Sequence, residues 1–270
     1  MNTLNAKPNF NIFALFKGMS GSGKSVGALS FPKPYVFDFD HKMPNIAIKH
    51  FRNKEIEYDT FESSGDVYDK LYPWLSGEKE CPYETLIFDS ITALSRLIMN
   101  TTAEIKGETI KTLLERKIDK KRGGSMIEPL GYDYYNSEVR FIDWILSASK
   151  VLWSRSNKFP NNIIFTAHVL EVKSKPNIET KVTTVTRSIM ALGNKAPAMI
   201  PGEFDELYVF GTQEVGGLSN ESETKHVMFT QTTGEDDAKT AFNLSRMTDF
   251  TNKNLYDLLK AQIAGGEMFA

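Results

Sequence analysis

The residues best able to do chemistry in this chain stand in one run, Gly18-Met19-Ser20-Gly21-Ser22-Gly23-Lys24-Ser25. The spacing is G-x-x-x-x-G-K-[ST]. Its glycines let backbone N–H groups turn inward on a phosphate chain, and the helix that follows aims its positive end at the same anions. Lys24 would reach the β- and γ-phosphates, the Ser25 hydroxyl would ligate Mg2+, and Val26 would extend the run of residues around the nucleotide. A flexible Gly/Ser turn has a similar composition. This run, however, follows an apolar strand at Asn11–Lys17 and opens a helix at Lys24–Ser30, which is the context phosphate binding requires. No guanine-reading N-K-x-D segment occurs, so ATP with Mg2+ is the expected ligand pair.

A phosphate loop needs an acidic residue at the tip of a neighbouring strand to hold the metal through water. Glu84-Thr85-Leu86-Ile87-Phe88-Asp89-Ser90 offers Asp89 after an apolar strand, although Asp89 could equally cap the helix beginning at Ser90. Ser90 stands where some P-loop machines carry a water-activating glutamate, so that carboxylate must come from elsewhere. Asp40, just past the strand Tyr35–Phe39, is the first choice because open α/β sheets bind ligands at that edge. Asp38 lies on the same side of the strand but deeper, and reads as a structural hydrogen-bond partner. His168 closes the buried strand Asn162–Thr166 at the same edge. A lone histidine there is either a cap or a polar group facing the ligand. His41, His50, His168 and His226 lack metal-ligand spacing.

These residues need a scaffold of alternating strands and helices. Strands are predicted at Tyr35–Phe39, Glu57–Phe61, Thr85–Phe88 and Asn162–Thr166. Helices are predicted at Asp66–Leu75, from Ser90 to about Lys117, and from Ser137 to Trp153. That alternation predicts an α/β class with a mainly parallel sheet flanked by helices. The last third adds the strands Glu206–Phe210 and His226–Thr230, which give antiparallel character, and a closing helix at Asn254–Ala264. A single domain over 1–264 is expected, with a mobile insertion at 118–136, a polar β-branched hairpin or loop within 171–192, and a loose tail at 265–270.

The 270 residues are 41% hydrophobic and 24% charged, with a net charge of -2 and a pI near 6.1. Such a balance gives no whole-molecule attraction to nucleic acid or anionic membrane. Two local basic stretches stand out: Arg116–Arg122 beside Gly123-Gly124, and Lys173, Lys175, Lys181 and Arg187. The lone Cys81 forms no internal disulfide, and no apolar run approaches the length of a bilayer span. A soluble cytoplasmic protein without a membrane partner is therefore expected.

The order GMSGSGKS, YVFDFDH, TLIFDSITAL, long helix, NIIFTAH resembles the RecA-like recombination ATPases from about Asn11 to Phe210. It is similar in particular to the short phage-encoded Sak-type proteins of single-strand annealing, a RecA core without extra domains. The resemblance implies Asp40 as catalytic carboxylate, Asp89 as the metal-associated aspartate and His168 as the sensor of the γ-phosphate. It also implies contact with single-stranded DNA through the loop after His168, a homo-oligomer, an annealing or single-strand-binding partner, and the host cytoplasm as location. Asp237-Ala238-Lys239 is similar to a family segment whose basic residue reaches a nucleotide, so Lys239 joins the expected site; Ala241 replaces the arginine common there. Two other functions remain open: an accessory module with weak hydrolysis that docks on a replication protein, and a small-molecule kinase.

Overall fold

Alternating side chains along the first strand bury apolar groups on both of its faces. Phe13 and Leu15 enter one core cluster and Ala14 and Phe16 another. The computed structural model describes residues 10–52, 54–106, 132–155, 158–173, 185–191, 196–216, 222–233 and 236–265. The chain runs β1 (Phe13–Gly18), α1 (Lys24–Leu29), β2 (Pro34–Asp38), α2 (Met43–His50), β3 (Glu57–Thr60), α3 (Ser64–Ser76), β4 (Thr85–Asp89) and α4 (Ile91–Ile105). It continues through α5 (Tyr132–Trp153), β5 (Asn162–Lys173), β6 (Val185–Ile189), α6 (Ala196–Met199), a 3-10 turn (Ile200–Glu203), β7 (Glu206–Gly216), β8 (Ser222–Phe229), β9 (Met247–Asp249) and α7 (Leu255–Ile263).

The strands form one sheet in the order β3-β2-β4-β5-β1-β7-β8-β9, with β6 paired to β5. From β3 to β7 neighbouring strands are parallel, while β8 and β9 run antiparallel to their neighbours. The expected α/β class, with antiparallel strands in the last third, is the one observed. Parallel pairing explains why the strands read as unbroken apolar runs, since both faces are covered. In-register phenylalanines tie the strands together: Phe37 stacks on Phe88 at 4.5 Å and Phe88 on Phe165 at 4.3 Å.

Some boundaries differ from expectation. Helix α5 starts at Tyr132 rather than Ser137, because Tyr134 packs with Met99 and Ala103 of α4, and buried Glu138 accepts a bond from Ser95. Residues 132–136 therefore belong to a helix and not to an insertion. The rest of that segment, the expected end of α4 up to Lys117 and the basic run after Arg116 lie outside the described residues. Helix α2 escaped the sequence reading. Its start is set by Pro44 in the first turn and by Asp38, whose carboxylate accepts from Lys42 N at 3.2 Å and Met43 N at 2.8 Å. That bond makes Asp38 the structural partner it was expected to be. β7 outruns its predicted end at Phe210, β8 begins at Ser222 ahead of the expected His226, and β9 was not foreseen.

One buried ion pair joins distant parts of the chain. Lys17, on β1 beside the phosphate loop, faces Asp236 at 3.5 Å with both side chains almost fully buried. Arg187 of β6 completes the group, donating to Asp236 at 2.8 Å and to Glu171 at 3.2 Å. Removing one member of such a pair strands a buried charge, whereas replacing the pair by apolar groups is tolerated. Asp236→Ala should lower unfolding stability by about 3 kcal/mol, with Lys17→Met/Asp236→Leu recovering most of that loss, as read from urea midpoints at constant slope.

Candidate functional site

Strand β1 delivers the chain into the loop through a close approach. A Cβ on Gly18 would stand 2.3 Å from the Phe210 carbonyl oxygen and 2.9 Å from Ser22 Oγ, so no larger residue fits. At the loop's far end Gly23 takes φ +94, a left-handed conformation that glycine adopts without strain, and α1 begins at the next residue. Between them the backbone curls around Lys24, which donates to Gly18 O at 2.9 Å, Met19 O at 2.7 Å and Ser22 Oγ at 3.4 Å. Burial pushes the Lys24 amine down to about 8, against the attraction of Asp89 and Asp40.

Asp89 ends β4 and is buried. The Thr166 hydroxyl, from adjacent β5, donates to its Oδ1, and the Ser25 hydroxyl bonds it as well. Burial holds the Asp89 carboxyl above the usual carboxylate range, the two hydroxyls counter that push, and nearby Asp40 and Asp38 add to it. The Asp89–Ser90 peptide is cis. Ser90 then spends its hydroxyl twice, accepting from Ala93 N to cap α4 and donating to Asp40 Oδ2 at 3.0 Å. Asp40 is only half-buried, with Lys42 Nζ at 3.5 Å and His168 Nε2 at 3.9 Å. His168 is fixed by its backbone N–H, which donates to Thr92 Oγ1 at 3.1 Å. Burial lowers the His168 pKa and neighbouring Lys24 lowers it further, so its imidazole is neutral at pH 7.

Ser20, Gly21, Gly23, Lys24, Ser25, Val26, Asp40, Asp89 and His168 thus line one cleft of about 680 Å³. Gly18, Met19 and Ser22 are not part of its lining and supply acceptors to Lys24. Lys239 does not line it. Its backbone bridges to Leu207 at the start of β7, three residues before Phe210, the partner of Gly18. The donor set near Asp89 is all oxygen, which suits Mg2+, and a dication there would offset the charge of a carboxylate short of solvation. Among the described residues no cluster of His, Cys, Asp or Glu forms a metal cage by itself.

The sequence reading missed half of this cleft. Lys42, Ile46, Lys49, His50 and Phe51 line it from α2 and the residues that flank it, and His226, Phe250, Asn252, Lys253 and Asn254 line it from the last third. The only local hint was Lys42, which follows Asp40 by two residues. Beyond the cleft, β5 runs on past the sheet and pairs with β6 from Val169↔Ile189 to Lys173↔Val185. This is the hairpin expected within 171–192; residues 174–184 and 192, with Lys175 and Lys181, lie outside the described residues. Arg187 is committed to Asp236 and Glu171.

A family model described as AAA domain matches residues 11–242. No curated protein matches the sequence. Among solved structures, the KaiC-like protein PH0186 from Pyrococcus horikoshii OT3 is similar over 90% of this chain and 87% of that one, at 9% identity and a TM-score of 0.44. No helix among the described residues is long and apolar enough to cross a membrane.

The depressed pKa of Lys24 sets a pH dependence for any phosphate held in the loop. An anion selects the protonated amine, so affinity is fullest below about 8 and is lost as the amine deprotonates above it. Calorimetric titration with ATP should show affinity falling about tenfold between pH 7 and pH 9, and Lys24→Met should abolish both the tight binding and its pH dependence.

Proposed function

The chain belongs to the AAA-domain family of P-loop ATPases, and on that premise we propose that it hydrolyses ATP to work on single-stranded DNA in recombination or annealing, in the manner of the phage Sak-type proteins it resembles. The observation that carries the hydrolytic part is the Asp40 arrangement. Its carboxylate is oriented by Ser90, borders neutral His168, and faces the same cleft as Lys24 and Asp89. A half-buried carboxylate at that edge can orient a water toward a γ-phosphate. Phosphoryl transfer to water asks for this kind of positioning and for charge neutralisation more than for covalent chemistry.

In this reading Lys24 leaves its loop acceptors for the phosphate oxygens. Ser25 and Asp89 would hold Mg2+, which when bound neutralises charge on the β- and γ-phosphates. His168, neutral and within 3.9 Å of Asp40, senses the terminal phosphate. It sits on the strand that continues into the β5–β6 arm, so its displacement reaches the arm through one continuous backbone. Support for DNA comes from the resemblance and from the lysines of that arm, Lys173, Lys175 and Lys181, which neutralise phosphates without reading sequence. A homo-oligomer, with Lys239 serving a neighbour's nucleotide rather than its own, belongs to the same reading.

Steady-state hydrolysis with and without single-stranded DNA tests it. Asp40→Asn should reduce kcat by at least about 100-fold while ATP affinity stays within a few-fold, since only positioning and proton acceptance are lost. Replacing Lys173, Lys175 and Lys181 together by alanine should remove the stimulation by DNA and flatten the salt dependence of DNA binding. Hydrolysis that is indifferent to DNA, together with an Asp40→Asn enzyme as active as the parent, would point instead to a nucleotide-binding accessory module.

A further inference from the structure

Asp40 can orient a water only through an oxygen that is free to accept. Its Oδ2 already receives the Ser90 hydroxyl at 3.0 Å and lies 3.9 Å from His168 Nε2. Its Oδ1 faces the Lys42 ammonium at 3.5 Å. Both oxygens therefore have partners, and of these only Lys42 is built to leave. Ser90 is buried and its hydroxyl also caps α4, while His168 is tied through its backbone. The Lys42 side chain is 57% exposed and carries its charge on a flexible four-carbon stem. An ion pair so open to water adds little to stability and exchanges readily.

The backbone under this exposed side chain is fixed. Lys42 N–H donates to buried Asp38 at 3.2 Å, and the Lys42 carbonyl accepts from Ile46 N as the first bond of α2. In Asp38-Phe39-Asp40-His41-Lys42, one carboxylate thus holds the backbone of Lys42 and the next meets its side chain. That side chain lines the same cleft as Lys24, Ser25, Asp89 and His168. Burial is the main cause of the lowered pKa of Lys24 and of His168, and the nearby Lys42 charge adds to both.

Phosphoryl transfer to water needs positive charge where the oxygens of the γ-phosphoryl group gather negative charge. Among the described residues that line the cleft there is no arginine. Its other lysines stand elsewhere: Lys24 inside the phosphate loop, Lys49 in the last turn of α2, and Lys253 beyond Phe250.

We propose that Lys42 is a catalytic cation supplied by the chain's own α2 cap, and that it leaves Asp40 for an oxygen of the γ-phosphate when nucleotide fills the cleft. The exchange does two things at once. It frees Asp40 Oδ1 to accept a proton from water, and it sets a positive charge beside the phosphoryl group in transfer. The water oxygen forms a bond to the γ-phosphorus as the bond from that phosphorus to the β–γ bridging oxygen breaks. The electron pair of the broken bond goes to ADP, and one proton of the water passes to Asp40. Without nucleotide the same ammonium keeps the carboxylate occupied. The proposal rests on the reading of Asp40 as the carboxylate that orients water.

Three measurements on the full chain test it: ATP affinity by calorimetry, single-turnover hydrolysis, and retention of ADP with aluminium fluoride, a mimic of the phosphoryl group in transfer. Lys42→Met should lower the hydrolysis rate about 100-fold and abolish retention of ADP with aluminium fluoride, while ATP affinity stays within about threefold. That retained affinity also reports a folded variant. Lys42→Arg, which keeps the charge, should restore at least about a tenth of the parent rate. Mixing Lys42→Met with Lys24→Met should recover no hydrolysis, since each chain then lacks one part of its own site. A mixture that regains hydrolysis overturns the assignment of Lys42 to its own chain's nucleotide. A Lys42→Met protein that works at the parent rate, or one whose ATP affinity falls as far as its rate, overturns the catalytic role; with Asp40→Asn inactive, the reading of Asp40 still stands. An Asp40→Asn protein as active as the parent overturns that reading, and the exchange with it.

Discussion

An amine and a carboxylate buried at one edge of the sheet set the terms for everything around them. Neither Lys24 nor Asp89 could be withdrawn from water alone, since an uncompensated buried charge is among the costliest features a fold can carry. The field of Asp89 favours the charged amine, and neutral partners serve both groups. The carbonyls of Gly18 and Met19 receive the amine, and the hydroxyls of Thr166 and Ser25 serve the carboxylate. The loop must therefore close tightly on Lys24, which is why a side chain at position 18 would strike the Phe210 carbonyl. The sheet must also place β5 between β1 and β4, because only that order brings Thr166 against Asp89.

The other acidic groups are graded by depth, and depth decides what each can do. Asp38 is fully buried and both of its oxygens are spent on the start of α2, so it is structural. Asp40, two residues on, is half-buried and held by a single hydroxyl with two basic side chains nearby. It can take up a new partner without breaking the fold. The segment that ends β4 and opens α4 serves several ends: Asp89 bonds Ser25 beside the phosphate loop, Ser90 orients Asp40, and Thr92 anchors the backbone of His168. β5 carries His168 at the cleft and continues into the arm that β6 completes, and Arg187 ties that arm through Asp236 to Lys17, the residue before the phosphate loop.

Much of the inner site was legible because its chemistry is local. Glycine spacing, a lysine and a hydroxyl residue act within one turn of chain. Asp40, Asp89 and His168 announce themselves as polar groups ending apolar runs, and a parallel sheet brings such ends to one edge. Helix α2 was missed because eight residues opening on a proline give too short a period to detect. Its start depends on a carboxylate outside the helix. The onset of α5 was misjudged for a related reason: Tyr132 to Asn136 read as polar and aromatic until α4 supplied a surface for Tyr134.

What the sequence determined by itself is the phosphate loop, the class of the sheet and the acidic residues at its edge, since each follows from short-range geometry and from the two-residue period of a strand. What only the tertiary structure decided is which distant segments share that edge. His226, Phe250 and Asn252 form the second wall of the cleft from the far end of the chain, Asp236 neutralises Lys17, and Lys239 is carried to another part of β7. No local pattern marks these residues. Their positions come from antiparallel strands added beyond β7 and from turns between them, where the partner of a side chain is fixed by packing across the sheet and not by its neighbours along the chain.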